Sequence, residues 1–202
     1  EELIEEGETT RLAESRQLLG AIRSEVDRLA DVTEQYLRFA RVPKPELVSE
    51  DLNTLVGDLT AFMQQEFVSN DIELIVNLSN QVPRVAADRD QLRQAVMNLL
   101  RNAMEAIGRE GSVNVTTNVN NDDVIIEVQD SGPGIEKEFV EKIFDPFFTT
   151  KKEGTGLGLP LVLQVIREHG GDVKCVSSAI EGTRFRIELP RAISEEKDVL
   201  DD

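Results

Sequence analysis

Near the start of the chain, positions recur at alternating intervals of three and four: Leu12, Ser15, Leu19, Ile22, Val26, Leu29, Thr33, Tyr36 and Ala40. Leu18, Val32 and Phe39 lie beside that seam and widen it. Such a stripe predicts one long helix over residues 10–41, and its width suits a helical bundle better than a two-stranded coil. A lone helix of this kind is unstable in water, so a partner helix is expected. The preceding EELIEE, closed by Gly7, reads as the end of an earlier antiparallel helix.

Pro43 and Pro45 in RVPKPEL cannot continue a helix and push Val42 and Lys44 toward extended angles. The period then changes. DLNTLVGDLTAFMQQEF (51–67) predicts a helix despite Gly57, and IELIVNLS (72–79) alternates as a strand up to a region ended by Pro83. Asp88 to Gln91 has the form of a capping box before a second helix, QLRQAVMNLLRNAMEAI, which stops at Gly108. SVNVTTNV and DVIIEVQD predict a hairpin around Asn120 and Asn121. EKEFVEKIF (136–144) and LPLVLQVIREHGG (159–171) read as two more helices, the latter capped by Gly170. DVKCVSS and TRFRIELP alternate as strands around a Glu181-Gly182 turn. The sum is an α/β two-layer sandwich, helices on one face of a mixed sheet, preceded by a long helix of a dimeric bundle. The expected divisions are 1–42 (helical region), 43–50 (linker), 51–191 (α/β domain) and 192–202, an acidic tail.

Composition narrows the partners. With 22 basic and 39 acidic residues the net charge is -17, which argues against nonspecific binding to nucleic acid or anionic lipid. The longest apolar run, LGLPLVLQVI (157–166), is about half of the ~20 residues that cross a bilayer. A single cysteine, Cys175, builds neither a disulfide framework nor a zinc site and fits a reducing, cytoplasmic setting.

Four stretches carry candidate chemistry. Asn98 and Asn102 are four apart on the second α/β helix and share a face; their carbonyl oxygens suit a hard cation such as Mg2+. DSGPGI (Asp130 to Ile135) ends a strand with a carboxylate that can accept from an exocyclic amine, and with Gly132 and Gly134 that let a flat ring approach. IFDPFFTT (143–150) gathers three of the chain's eight phenylalanines. GTGLGL removes side chains at Gly154, Gly156 and Gly158 where a helix begins, a place whose bare N–H groups attract phosphate.

In this order and spacing, NLLRNAMEA, DSGPGI, FDPFF and GTGLGL resemble the N box, first glycine box, F box and second glycine box of sensor histidine kinases. Their ATP-binding domain belongs to the superfamily shared with gyrase-type, mismatch-repair and chaperone ATPases. The resemblance covers residues 46 to about 190. The lid between Ile135 and Gly154 is short, as in the kinases resembling nitrogen regulators. The helix LLGAIRSEVDRLADVTEQYLRFAR is similar to the second helix of that family's dimerisation and phosphotransfer domain.

The resemblance implies a Bergerat-type fold that binds ATP with Mg2+. It implies Asn102 as the metal ligand, with Asn98 supporting the metal or phosphates. Asp130 would recognise the adenine amine, bordered by Gly132, Gly134 and Ile135. Phe144, Phe148, Thr149 and Thr150 would belong to the lid. Gly154, Thr155, Gly156, Leu157, Gly158 and Leu159 would cradle phosphates at the mouth of the next helix. Lys151 and Lys152 are either phosphate-facing charges or solvated loop residues. Hydrolytic members carry a glutamate four residues before the magnesium asparagine as a general base; Asn98 cannot take a proton, so hydrolysis is expected to be slow.

The implied acceptor is a histidine on the first bundle helix, followed by relay to an aspartate of a response regulator. The one histidine of the sequence, His169, stands at a helix end before a glycine, where a structural role explains it. The expected acceptor lies ahead of Glu1, as the orphaned EELIEE favours, the other reading being a natural variant that lacks autophosphorylation; either way this chain is expected to bind ATP without labelling itself. A noncatalytic ATP-binding and dimerisation module is the alternative, with a hydrolytic ATPase behind it.

Overall fold

The computed structural model describes residues 16–26, 29–30, 32–33, 36–37, 39–120, 123–151 and 154–192. EELIEE, Leu12, Ser15, Lys152 and the acidic tail from residue 193 lie outside them. The chain divides into two compact units, Glu1–Arg41 and Val42–Asp202. In the first, the described residues from 16 to 40 are helical (α1). Along it Leu19, Ile22, Val26, Leu29 and Tyr36 are exposed, whereas Val32 and Phe39 are half-buried.

The second unit is built on a five-stranded mixed sheet of order β2-β4-β5-β7-β6. Its strands are β2 (Ile72–Leu78), β4 (Gly111–Asn120), β5 (Asp123–Asp130), β6 (Asp172–Ser178) and β7 (Gly182–Pro190). β2 and β4 pair in parallel and the other neighbours are antiparallel. Cross-strand register makes the two faces different. One carries Val115, Val128, Phe185 and Cys175 in one row and Thr117, Ile126, Ile187 and Val173 in the next. The other carries Asn114, Gln129, Arg184 and then Glu127 beside Arg186. Alternation at period two therefore gives one face for helices and one for water.

Three helices cover the apolar face: α2 (Leu52–Ser69), α3 (Arg89–Ile107) and α4 (Gly158–Glu168). α2 buries Leu52, Leu55, Val56, Leu59, Met63 and Phe67, and α3 buries Leu92, Val96, Leu99, Leu100 and Ala103. Each is an i, i+3, i+4 stripe on a helix predicted from the sequence, and each buried large aliphatic contributes roughly 1.5–3 kcal/mol of transfer free energy.

Asp88 caps α3 by accepting from the backbone N–H groups of Asp90 and Gln91. The expected capping box is only half made, because the Gln91 side chain does not turn back. Its Nε2 donates to the Pro43 carbonyl instead, at 3.0 Å. Two short strands, β1 (Val48–Glu50) and β3 (Val85–Ala87), pair antiparallel beside this corner and were not expected. EKEFVEKIF is not an α-helix but a run of turns closed by one 3-10 turn, Lys142–Phe144. Within it only Ile143 is buried, too little apolar cover to hold so short a helix.

Candidate functional site

The loop after the C-terminal end of β5 and the start of α4 both pack against α3. Asp130 closes β5 and is 4% exposed. Its Oδ1 accepts from the backbone N–H of Gly132 at 2.8 Å and of Thr183 at 3.2 Å. Both bonds fall on the same oxygen, so Oδ2 carries no protein hydrogen bond among the described residues. Burial pushes the Asp130 carboxyl up; the two N–H donors and the nearby Lys151 ammonium pull it down, and the result stays above the usual aspartate value.

The first glycine box is tied down on every side. Ser131 Oγ accepts from Ser112 N–H, and Ile135 N–H donates to Ser177 Oγ at 2.7 Å. Gly134 has φ +77°, and a side chain there would strike the Ser178 carbonyl. A Cβ at Gly132 would come within 3.3 Å of the Ala106 backbone on α3. Both bare positions are thus filled by this chain's own packing.

On α3, Asn98 and Asn102 are half-buried one turn apart. Asn102 faces the second glycine box: the nearest heavy atom to a Cβ placed on Gly158 is Asn102 Nδ2, at 3.9 Å. Gly158 is the first residue of α4, and no side chain caps that end. Leu157 is buried in the core, and Leu159 and Thr155 are half-buried beside it.

The segment between the boxes folds on phenylalanines. Phe144 meets the core Phe185 edge-on at 6.4 Å, and Phe148 packs against Phe139 at 5.5 Å. Phe147 is exposed, and its N–H donates to the Gly156 carbonyl at 2.9 Å. Thr149 Oγ1 accepts from Lys151 N–H; Thr149 and Thr150 are exposed, and Gly154 sits close to Thr149. Lys151 reaches back to α3, where its Nζ donates to Asn102 Oδ1 at 3.2 Å and to Glu105 Oε2 at 2.5 Å.

Sequence reading missed Thr183, Ser177 and Glu105. Glu105 stands three residues after Asn102 on one helix face, a spacing that could have found it. Thr183 and Ser177 pair across β6 and β7 and have no local signal.

A metal ion can be tested against this donor set. Asn102 Oδ1 already accepts an ammonium, so that oxygen is accessible to a cation and suited to one. Among the described residues no three His, Cys, Asp or Glu side chains cluster as a metal cage. The residues fit a cation that arrives with its own anionic ligands, as Mg2+ does with a polyphosphate.

His169 is buried, with Nε2 accepting from Asp88 N–H at 3.0 Å and Nδ1 lying 2.7 Å from the Val165 carbonyl. Both ring nitrogens have partners inside the fold. Cys175 is also structural: burial first, then the Asp130 charge, pushes its thiol up to about 12. A separate cavity of about 280 Å³ opens on the polar face of the sheet beside Asn118, Glu127 and Arg186, and none of the glycine boxes reaches it.

Residues 87–193 match the family model described as histidine kinase-, DNA gyrase B-, and HSP90-like ATPase. The chain belongs to this family. It is a histidine kinase ATP-binding catalytic domain, and most of the chain is homologous to sensor kinases. Sensor histidine kinase ZraS of Escherichia coli O157:H7 is 38% identical over 177 residues, 88% of this chain and 39% of that protein. The chain thus spans about two fifths of the length of this relative. Histidine kinase ThkA, solved in complex with response regulator protein TrrA, superposes with TM-score 0.73 at 31% identity, covering 85% of this chain and 49% of that one. Full-length ShkA in complex with AMPPNP gives 0.75 at 28%, covering 88% and 39%. Among the described residues no helix is long and apolar enough to cross a membrane.

Proposed function

We propose that this domain binds ATP with Mg2+ and delivers the γ-phosphoryl group to a histidine other than His169, for relay to an aspartate of a response regulator. One observation supports the reading above the others: Lys151 bonds Asn102 on α3, which faces Gly158 at the start of α4, and the same ammonium acts on the buried Asp130 carboxylate at the end of β5. The buried Asp130 carboxylate offers Oδ2 to the adenine amine. Asn102 would hold Mg2+, with Asn98 supporting it one turn earlier; the metal supplies charge neutralisation for the phosphates. The α4 N-terminus and the glycine backbone offer N–H groups to the same phosphates. That ShkA binds AMPPNP and ThkA binds a response regulator supports both ends of the scheme.

The face of α3 favours transfer over hydrolysis. Asn98 cannot act as a base, and the carboxylate nearest Asn102 along that face, Glu105, is engaged by Lys151. The exposed seam of α1 supports homodimerisation through residues 10–41.

Calorimetry with ATP and Mg2+ tests the binding half. Wild type gives a saturable heat, Asp130→Asn binds markedly more weakly, and absence of heat in wild type rejects the proposal. The transfer half is tested with labelled ATP and a separately produced helical hairpin bearing a phosphoacceptor histidine. Label on that histidine supports the kinase; nucleotide binding with no transfer leaves a nucleotide-responsive module.

A further inference from the structure

We infer that the Lys151 ammonium is a resident cation on Asn102, an alternative to the divalent metal, and that Glu105 is the positioning residue that holds it there. The inference rests on the nucleotide reading above and adds a regulation of that same site.

The geometry is specific. Lys151 comes from the segment between the F box and second glycine box, 49 residues from Asn102 in sequence, yet its Nζ lies 3.2 Å from Asn102 Oδ1. That oxygen is the atom through which Asn102 would hold a metal. A neutral amide oxygen is a good acceptor for an ammonium and for a hard dication alike, so the two cations contend for one atom. Glu105, one turn further along α3, closes a fork on the same ammonium at 2.5 Å. Without a second partner a flexible lysine has no reason to favour Asn102 over water; the carboxylate supplies that reason. Side-chain exposures of 40% for Lys151 and 55% for Glu105 make the pair weak and screened, hence exchangeable.

Two consequences follow. A nucleotide arriving without metal meets a positive charge already in place beside Asn102, which lowers its need for Mg2+. A nucleotide arriving with metal must displace Lys151 from Asn102, which costs part of the metal's benefit. Lys151 therefore narrows the gap between metal-free and metal-bound affinity.

The readout is the ratio of the ADP dissociation constant in EDTA to that in Mg2+, measured by calorimetry on the whole chain. Lys151→Met raises this ratio about two- to fivefold, the range of an exposed ion pair, while Lys151→Arg keeps it near wild type. Glu105→Gln changes the ratio when Lys151 is present and leaves it unchanged in the Lys151→Met background, because Glu105 acts through the lysine. A flat ratio in Lys151→Met overturns the inference, as does an equal effect of Glu105→Gln in both backgrounds. If wild type binds no ADP under either condition, the nucleotide reading fails and this one with it. If wild type binds and Asp130→Asn binds markedly more weakly, a flat ratio in Lys151→Met rejects the resident cation alone.

Discussion

The two ends of the candidate site are built from different materials. At the base end, Asp130 is fixed by backbone N–H donors from Gly132 and Thr183, inside a register that runs from β4 through β5 to β7. At the phosphate end, Asn102 meets Lys151 through flexible side chains at the surface. One end is part of the sheet and is in place before any ligand arrives; the other is a set of charges that can be exchanged. Recognition by shape belongs where the backbone is fixed, and charge handling where side chains can move.

The largest expected effect breaks the fixed end. Gly182 has φ +73°, and a side chain there would enter the Asp130 carbonyl. Gly182→Ala should cost roughly 2–5 kcal/mol of folding stability, read by denaturant unfolding, because strain and overpacking coincide. A loss below about 1 kcal/mol would show that the β6–β7 turn yields and that the base end is softer than its hydrogen bonds imply.

Asp130→Asn should weaken nucleotide binding roughly 10- to 100-fold, the worth of a hydrogen bond to a charged acceptor. The fold should gain. The folded carboxyl lies above its ordinary value of 3.8, so its charge costs stability above the folded pKa, and that cost fades as pH falls toward the unfolded value. The Asn variant should therefore melt higher than wild type at neutral pH, with the difference shrinking on acidification. A lower melting point at pH 7 would contradict the assigned environment.

A smaller effect is the acid limb of binding. Protonated Asp130 no longer presents a carboxylate to the amine, so wild-type affinity should fall with pH, starting above the ordinary aspartate range. The smallest effect marks the exchangeable end: Lys151→Met should change folding stability by no more than about 1 kcal/mol while altering the metal dependence of binding.

What could be read in the sequence follows the same division. The stripes of α2, α3 and α4, the stop at Gly108 and the β4–β5 and β6–β7 hairpins rest on local periods and turn residues, and all are present. β1 and β3 are three residues each, too short for a period. Gln91 bonds the Pro43 carbonyl, a tertiary partner that no local rule names. Motif residues stood out because they depart from pattern, as glycines before leucines. Thr183 and Ser177 conform to a strand's alternation and so stayed hidden, although they hold Asp130 and Ile135 in place. Gly134 has a packing reason to be bare that the motif did not reveal, the Ser178 carbonyl.

The bond from Asp88 N–H to His169 joins the N-cap of α3 to the C-cap of α4. At the opposite ends of the same antiparallel pair stand Asn102 and Gly158. From Asp88 to Asn102 the α3 axis spans about 21 Å at 1.5 Å per residue. The imidazole thus fastens the two helices at one end while Asn102 and Gly158 face each other further along the pair. The segment holding Pro43 and Glu46 is fastened to this junction through Gln91 and Asp88. A load carried by that segment is therefore borne by both helix termini at once.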